Sequence, residues 1–235
     1  MNKINYSKEL EKRIEEFREK KEVPKLLLHV CCAPCSSHCL EYLREFFDVT
    51  VFFYNPNITE SAEYDYRLKE EKRLIEEYNR QVEESDFEGM NSDERARKID
   101  IIDATYDVSE YYEAVKGYEQ CKEGGDRCRK CFELRLSETA RVAAKEGFKY
   151  FTTTLTISPL KNVDVLNEVG EAAARSVNES KIYDGEVFFL PSDFKKKNGY
   201  KRSIELSQKF GLYRQDFCGC GFSKAQREKE KAQKC

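Results

Sequence analysis

An open α/β sheet of mostly parallel strands, Rossmann-like (doubly wound) with helical additions, is the architecture this sequence predicts. Three observations lead to it. Short runs rich in β-branched and aromatic residues alternate with longer stretches of helical periodicity, the order that lays parallel strands between crossover helices. The runs are almost continuously apolar, as strands covered on both faces must be. Four of the five prolines, Pro34, Pro56, Pro159 and Pro191, each follow such a run. The polar residues beyond them should therefore collect along the carboxyl edge of the sheet, where open α/β folds bind their ligands.

Taken in order, residues 5–22 place Leu10, Ile14 and Phe17 at helical spacing, which predicts an amphipathic helix, exposed or partly docked, ending before Pro24. Residues 1–24 read as a helical extension and 25–222 as a single α/β catalytic domain. Leu26–Val30 predicts the first strand; Pro34 stops it, and Ser36 or Ser37 caps a helix over about 37–47. Asp48–Tyr54 predicts a second buried strand, closed by Asn55-Pro56-Asn57. A helix over 60–79 carries Tyr64, Leu68, Leu74, Ile75 and Tyr78 on one face, and the polar residues 80–97 read as an insertion or long loop. Lys98–Asp103 resumes strand character, followed by helices over about 109–118 and 130–146, the latter closed by Gly147. Strands at Tyr150–Leu155 and Val187–Leu190 alternate with helices over about 161–176 and 199–210. The charged residues 223–235 read as a fraying tail.

The chain's 235 residues carry 41 basic and 44 acidic side chains, so a net charge of −3 argues neither for nor against a nucleic-acid partner. Nothing at the start resembles a signal peptide and no apolar run reaches membrane-spanning length, so a cytoplasmic protein with no membrane partner is expected. In that reducing compartment ten cysteines point to metal or redox chemistry rather than to a disulfide scaffold. Burial as small hydrophobes accounts for single cysteines such as Cys39, which falls inside a helix, but not for three groups.

The first group, Cys31, Cys32 and Cys35, stands at the end of the first strand, where nucleotide-binding folds place phosphate-gripping glycines. The second, Cys128-x-x-Cys131, opens a helix whose amides favour thiolate charge; Gly124-Gly125 lets the backbone turn tightly before it. Spacing of this kind serves zinc, iron–sulfur and redox sites alike. If the helix after 131 packs on the first strand, the vicinal pair and the CxxC share one centre. An adjacent pair facing one CxxC, with Cys35 to spare, favours a [4Fe-4S] cluster over zinc. Cys121 is an open case, and Cys235 reads as inert. Cys218-Gly-Cys220 permits a small strained disulfide and hence a redox-active dithiol; one extra metal ligand beside a bystander is the other reading.

Lys195 to Arg202 holds five basic residues in eight positions (Lys195, Lys196, Lys197, Lys201 and Arg202, with Tyr200 among them) beside the expected crevice, a candidate grip on phosphate. His29 lies within a strand and reads as a satisfied core residue, whereas His38 is near enough to the thiols to support them. No glycine-rich phosphate loop and no nucleophile elbow is present, which disfavours nucleotide-triphosphate and serine-hydrolase chemistry.

The stretches Leu28–Ser37, Val51–Ile58, Glu123–Cys131, Tyr150–Asn162, Leu190–Arg202 and Gly211–Cys220, in that order, resemble the QueH family of epoxyqueuosine reductases, which act at the last step of making queuosine in tRNA. The resemblance implies a [4Fe-4S] cluster on Cys31, Cys32, Cys128 and Cys131 and a redox-active Cys218–Cys220 pair. It also implies a second, mononuclear metal ion (Fe or Zn), for which Cys35 is the further ligand. The implied substrate is tRNA carrying epoxyqueuosine at the wobble position, served by an unidentified electron donor. Tyr54, Asn57, Thr154 and Lys161 would then line the pocket, with Lys195, Lys196, Lys197 and Arg202 on backbone phosphates. A cluster-dependent tRNA sulfur transferase would need a Ser-Gly-Gly turn where Cys31–Cys35 stands. A zinc-stapled RNA-binding module would be colourless and free of iron.

Overall fold

The computed structural model describes residues 4–233. Five parallel strands, β1 (Lys25–His29), β2 (Asp48–Phe53), β3 (Asp100–Asp103), β4 (Tyr150–Thr153) and β5 (Phe188–Phe189), form one sheet in the order β3-β2-β1-β4-β5. Register is set by Leu28 opposite Val51 on one side of β1 and opposite Thr152 on the other. The order reverses between β1 and β4, which makes that gap the switch point. The doubly wound prediction holds.

Side-chain alternation shows why both faces are covered. Leu26, Leu28, Val49, Val51 and Phe53 enter one core with α1 (Tyr6–Lys20), α2 (Ala33–Leu43) and α3 (Ser61–Glu84). Leu27, Phe52 and Phe151 enter the other, against α5 (Asp126–Lys145) and α6 (Val163–Ser180). Every one of these strand residues is buried, so neither face tolerates a register slip. The first helix is docked: Leu10, Ile14 and Phe17 are buried, and Phe17 meets Phe47 and Tyr150 edge-on. α4 (Val108–Ala114) is short, and α7 (Gly199–Lys209) packs on α2.

Three expectations need correction. α2 begins at Ala33 with Cys32 as its N-cap, because Pro34 needs no donor in a first helical turn; the hydroxyls of Ser36 and Ser37 instead donate back to the carbonyls of Ala33 and Pro34. Cys35 thus sits in a helix rather than a loop. α3 runs on to Glu84, and the segment after it is docked on α2: Ser92 Oγ donates to the Glu41 carbonyl, while the fully buried Arg44 donates to Ser92 Oγ, Gln81 Oε1 and the Tyr78 carbonyl. Residues 223–232 do not fray. They form α8 (Gly221–Ala232), capped by Cys220 and pinned by Lys224 on Glu60 and Lys231 on Asp216. Cys235 lies outside the described residues.

Candidate active site

At the carboxyl end of β1 the backbone leaves the sheet, and the sulfurs of Cys31, Cys32 and Cys35 gather within 4.8 Å of one another. Cys31 Sγ lies 3.8 Å from Cys32 Sγ and 3.9 Å from Thr154 Oγ1, at the matching end of β4. Hydrogen bonds from the Cys32 and Cys35 thiols pull Cys31 well below the usual thiol range; burial opposes them, and Lys161 and Arg135 add to the pull. The same contacts push Cys32 up to about 12 and Cys35 upward as well. Three thiols at this spacing can hold a metal ion.

Arg135 is the buried brace behind this trio. Its Nε donates to His29 Nε2 at 3.2 Å, and its terminal nitrogen donates to Asn55 Oδ1. His29 Nε2 also lies 3.2 Å from the Tyr54 carbonyl, and its Nδ1 lies 2.8 Å from Thr153 Oγ1. Burial, followed by Arg135, drives its pKa down to about 3, so His29 is a neutral core residue as expected. Asn55 Nδ2 in turn donates to the Val30 carbonyl, closing the polar seam beneath the thiols.

Cys128 and Cys131 occupy the first turns of α5. Gly124 (φ 86°) turns its amide onto Cys128 Sγ at 3.2 Å. Burial nevertheless outweighs that bond and raises Cys128; it pushes Cys131 up to about 11. The expected lowering by helix amides is therefore overridden by desolvation. Cys121, in the lead-in, lines neither of the cavities described below.

The third group is a pair of free thiols, Cys218 Sγ and Cys220 Sγ, 3.6 Å apart. Gly219 between them adopts φ 112°, and a Cβ there would stand 2.8 Å from Ile58 Cγ1, so only glycine fits. The Cys218 carbonyl accepts from Asn57 Nδ2 (3.3 Å) and Arg67 (3.4 Å), and the Gly219 carbonyl from the Thr59 amide (3.2 Å). A hydrogen bond from the Cys220 thiol lowers Cys218 against its burial, with Lys161 assisting, and that bond together with burial raises Cys220.

Two adjoining cavities connect the groups. One, of about 290 Å³, is lined by Cys31, Cys32, Cys35 and Cys218, with Leu160, Tyr200 and Arg214 also on its wall. The other, of about 170 Å³, is lined by Cys128, Cys131, Cys218 and Cys220 with Tyr111. Cys218, Lys161, Arg135 and Glu123 belong to both. Lys161 has no carboxylate in ion-pairing distance among the described residues. Burial by itself would weaken its proton affinity, but its electrostatic interactions with the sulfurs of Cys31, Cys35 and Cys218 outweigh burial and hold its ammonium above the usual range.

The fold places Cys31, Cys32, Cys35, Cys128, Cys131, Cys218, Cys220, Asn57 and Lys161 on the walls of these two cavities, with Thr154 beside Cys31. Tyr54 is elsewhere: its phenol donates to Glu110 at 2.6 Å, its ring stacks on Phe52, and it lines neither cavity. Arg202 turns inward onto the buried Glu41 at 2.6 Å, Lys197 pairs with Glu11 at 2.7 Å, and Lys195 with Asp193 at 3.1 Å. Of the four basic residues assigned to phosphate, Lys196 is exposed and without an ion pair among the described residues. His38 lines a separate cavity with Tyr42 and Lys196, apart from the thiols. Arg135, Tyr111, Glu123 and Arg214 escape the sequence reading. Arg135 had a signal: it follows Cys131 by four residues and so shares its helix face.

The model of a family described as epoxyqueuosine reductase QueH matches residues 26–226. A Staphylococcus aureus protein named epoxyqueuosine reductase QueH is 40% identical over 95% of this chain and 85% of its own length. Proteins of the same name from Streptococcus pyogenes (39% identical; 94% of this chain, 78% of the relative) and Thermotoga maritima (32%; 88% and 94%) are similar throughout as well.

Proposed function

The chain belongs to the epoxyqueuosine reductase QueH family, and from that premise we propose that it reduces epoxyqueuosine to queuosine at the wobble position of tRNA, using the thiols of the two cavities. The observation that carries the reading is Cys218: one thiol of a close pair faces both the Cys31–Cys32–Cys35 trio and the Cys128–Cys131 pair.

The donor set is of the kind an iron–sulfur group takes: soft sulfur ligands from two separate elements line two adjoining cavities. Cys31, Cys32, Cys128 and Cys131 would hold a [4Fe-4S] cluster, and Cys35 would serve a mononuclear ion, Fe or Zn. When bound, the cluster supplies electrons one at a time at low potential.

The remaining roles belong to the chain's own groups. Turning the epoxide into an alkene takes two electrons and two protons and releases water. The balance closes with the dithiol alone: two S–H bonds break, the Cys218–Cys220 S–S bond forms, and the epoxide oxygen leaves as water. Lys161, held protonated by its sulfur neighbours, is placed to give a proton to that oxygen. Thr154 Oγ1 beside Cys31 and the unpaired Oδ1 of Asn57 can orient hydroxyls of the modified ring. The base has to leave the anticodon stack to enter the larger cavity. Exposed Tyr200 and Leu160 on its wall can stack on it or its neighbours, with Arg214 and Lys196 near backbone phosphate. An external donor then reopens the disulfide. The work is cytoplasmic, where tRNA is modified, and no helix of the described residues is long and apolar enough to cross a membrane.

Anaerobic purification with iron and sulfide assay, followed by incubation with epoxyqueuosine-containing tRNA and a reductant, tests this. Nucleoside mass spectrometry should show loss of the epoxide oxygen. Unchanged epoxyqueuosine with one zinc per chain and no iron would leave a zinc-stapled RNA-binding module instead.

A further inference from the structure

One residue beyond the dithiol loop holds both of its ends. The Cys218 amide donates to Ser223 Oγ at 3.2 Å, and the Ser223 amide donates to Cys220 Sγ at 3.4 Å. Ser223 spends its own hydroxyl proton on Glu123 Oε2 at 3.2 Å and is fully buried. Arg227 supports this arrangement from the next turn, 3.7 Å from Glu123 and 3.1 Å from the Asp216 carbonyl. The Arg127 guanidinium lies 4.6 Å from the Phe222 ring, fixing the start of α8 against the turn that leads to Cys128. α8 is mostly charged, and Ser223 is its buried residue. The helix therefore adds little apolar packing; what it does is tie the loop of Cys218 and Cys220 to the loop before Cys128.

We propose that Ser223 is a positioning residue of the reaction, holding Cys218 and Cys220 in the register of a reduced, ready pair and so setting how easily that pair closes to a disulfide. The proposal rests on reading the pair as the redox dithiol. Closing it forms one S–S bond, releases two protons and passes two electrons to an oxidant, which is the epoxide in turnover and glutathione disulfide in the test below. The sulfurs must come from 3.6 Å to a bond length of about 2 Å, so Cys218, Cys220 or both must move against the two hydrogen bonds that Ser223 makes to them. Those bonds favour the open dithiol, and the one from the Cys218 amide to the Ser223 hydroxyl is the one that Ser223→Ala removes.

The full chain is equilibrated in glutathione redox buffers and its thiols are trapped by alkylation. The tryptic peptide Gln215–Lys224, which contains Cys218 and Cys220 and no other cysteine, is then read by mass spectrometry. Ser223→Ala should shift the equilibrium about five- to tenfold towards the disulfide, about 30 mV at the upper end. Ser223→Thr, which keeps the hydroxyl, should match the parent constant. A role confined to holding α8 would lower melting temperature without moving this constant, so an unmoved constant in folded Ser223→Ala overturns the proposal. Should that variant not fold, Arg227→Ala on the exposed flank tests the same tether: a shift of about twofold in the same direction supports the proposal, and none overturns it. Failure of the dithiol reading itself would look different, as full turnover of epoxyqueuosine tRNA by Cys218→Ser.

Discussion

The two ends of the chain bring sulfur to the same cavities by opposite means. Cys31, Cys32 and Cys35 stand where the central strand meets a buried helix, and Arg135, His29 and Asn55 lock the backbone beneath them. Cys218 and Cys220 hang on a turn that only glycine permits, held by polar side chains from Asn57, Arg67 and Ser223. The difference suits the two tasks proposed for them. A metal-holding trio gains from sulfurs that cannot move, because each ligand atom must be in place before the ion arrives. A dithiol that makes and breaks a bond needs about 1.5 Å of travel, and a loop on hydrogen bonds supplies it.

The largest effects should come from exchanging one region's fate for the other's. Cys32→Ala is expected to abolish both iron content and turnover. Cys218→Ser should lower turnover about a thousandfold or more while leaving iron and sulfide at parent levels. Equal iron loss in the two variants would erase the division of labour.

Next in size is the support of α2, whose first turn carries Cys35. Glu41 is buried, and its hydrogen bonds from Arg202 and the Asn91 amide overcome desolvation and bring its pKa down to about 2. A depressed carboxylate stabilises the fold fully above its unfolded value of about 4.5, and that stability is lost as pH falls towards about 2. Arg202→Ala should cost about 3–5 kcal/mol at pH 7 by leaving a buried charge unpaired. Its acid response should also reverse, since protonating the orphaned Glu41 then helps. Urea unfolding at pH 7, 5 and 3.5 reads both, and alkylation of Cys218 and Cys220 in the folded variant should match the parent.

Gly219→Ala strikes the loop alone. With φ 112° and Ile58 in the way, backbone strain of about 1–3 kcal/mol is expected. Turnover should fall roughly tenfold, with iron content unchanged and melting temperature lowered by a few degrees. Smallest is Lys196→Ala, which should weaken tRNA binding uniformly by well under tenfold and reduce the salt slope by about one. An unchanged slope would remove Lys196 from the RNA surface.

Local pattern carried the sheet and the thiols, because strand alternation and cysteine spacing are written within a few residues. Features made by distant pairing were not legible. Arg202 looked like part of a phosphate-gripping run because Glu41 lies 161 residues away. α8 looked like a tail because its ties to Glu60, Glu123 and Asp216 are ionic and its own apolar content is small. Pro34 was read as a strand stop when it serves equally as the first turn of a helix. Tyr54 satisfied the edge-of-strand rule, yet Glu110 on α4 captures its phenol.

Because the gap between β1 and β4 is filled from both ends of the chain, the site is also a problem of biogenesis. During synthesis at about 5–20 residues per second, Cys31 and Cys32 emerge many seconds before Cys128, Cys131 and Cys218 exist. The earliest thiols therefore wait without their partners, and a metal that captures them then would lock in the wrong ligand set. On the proposed cluster reading, loading should follow release of the finished chain, which gives the cell one moment, rather than many, at which to commit a metal to this site.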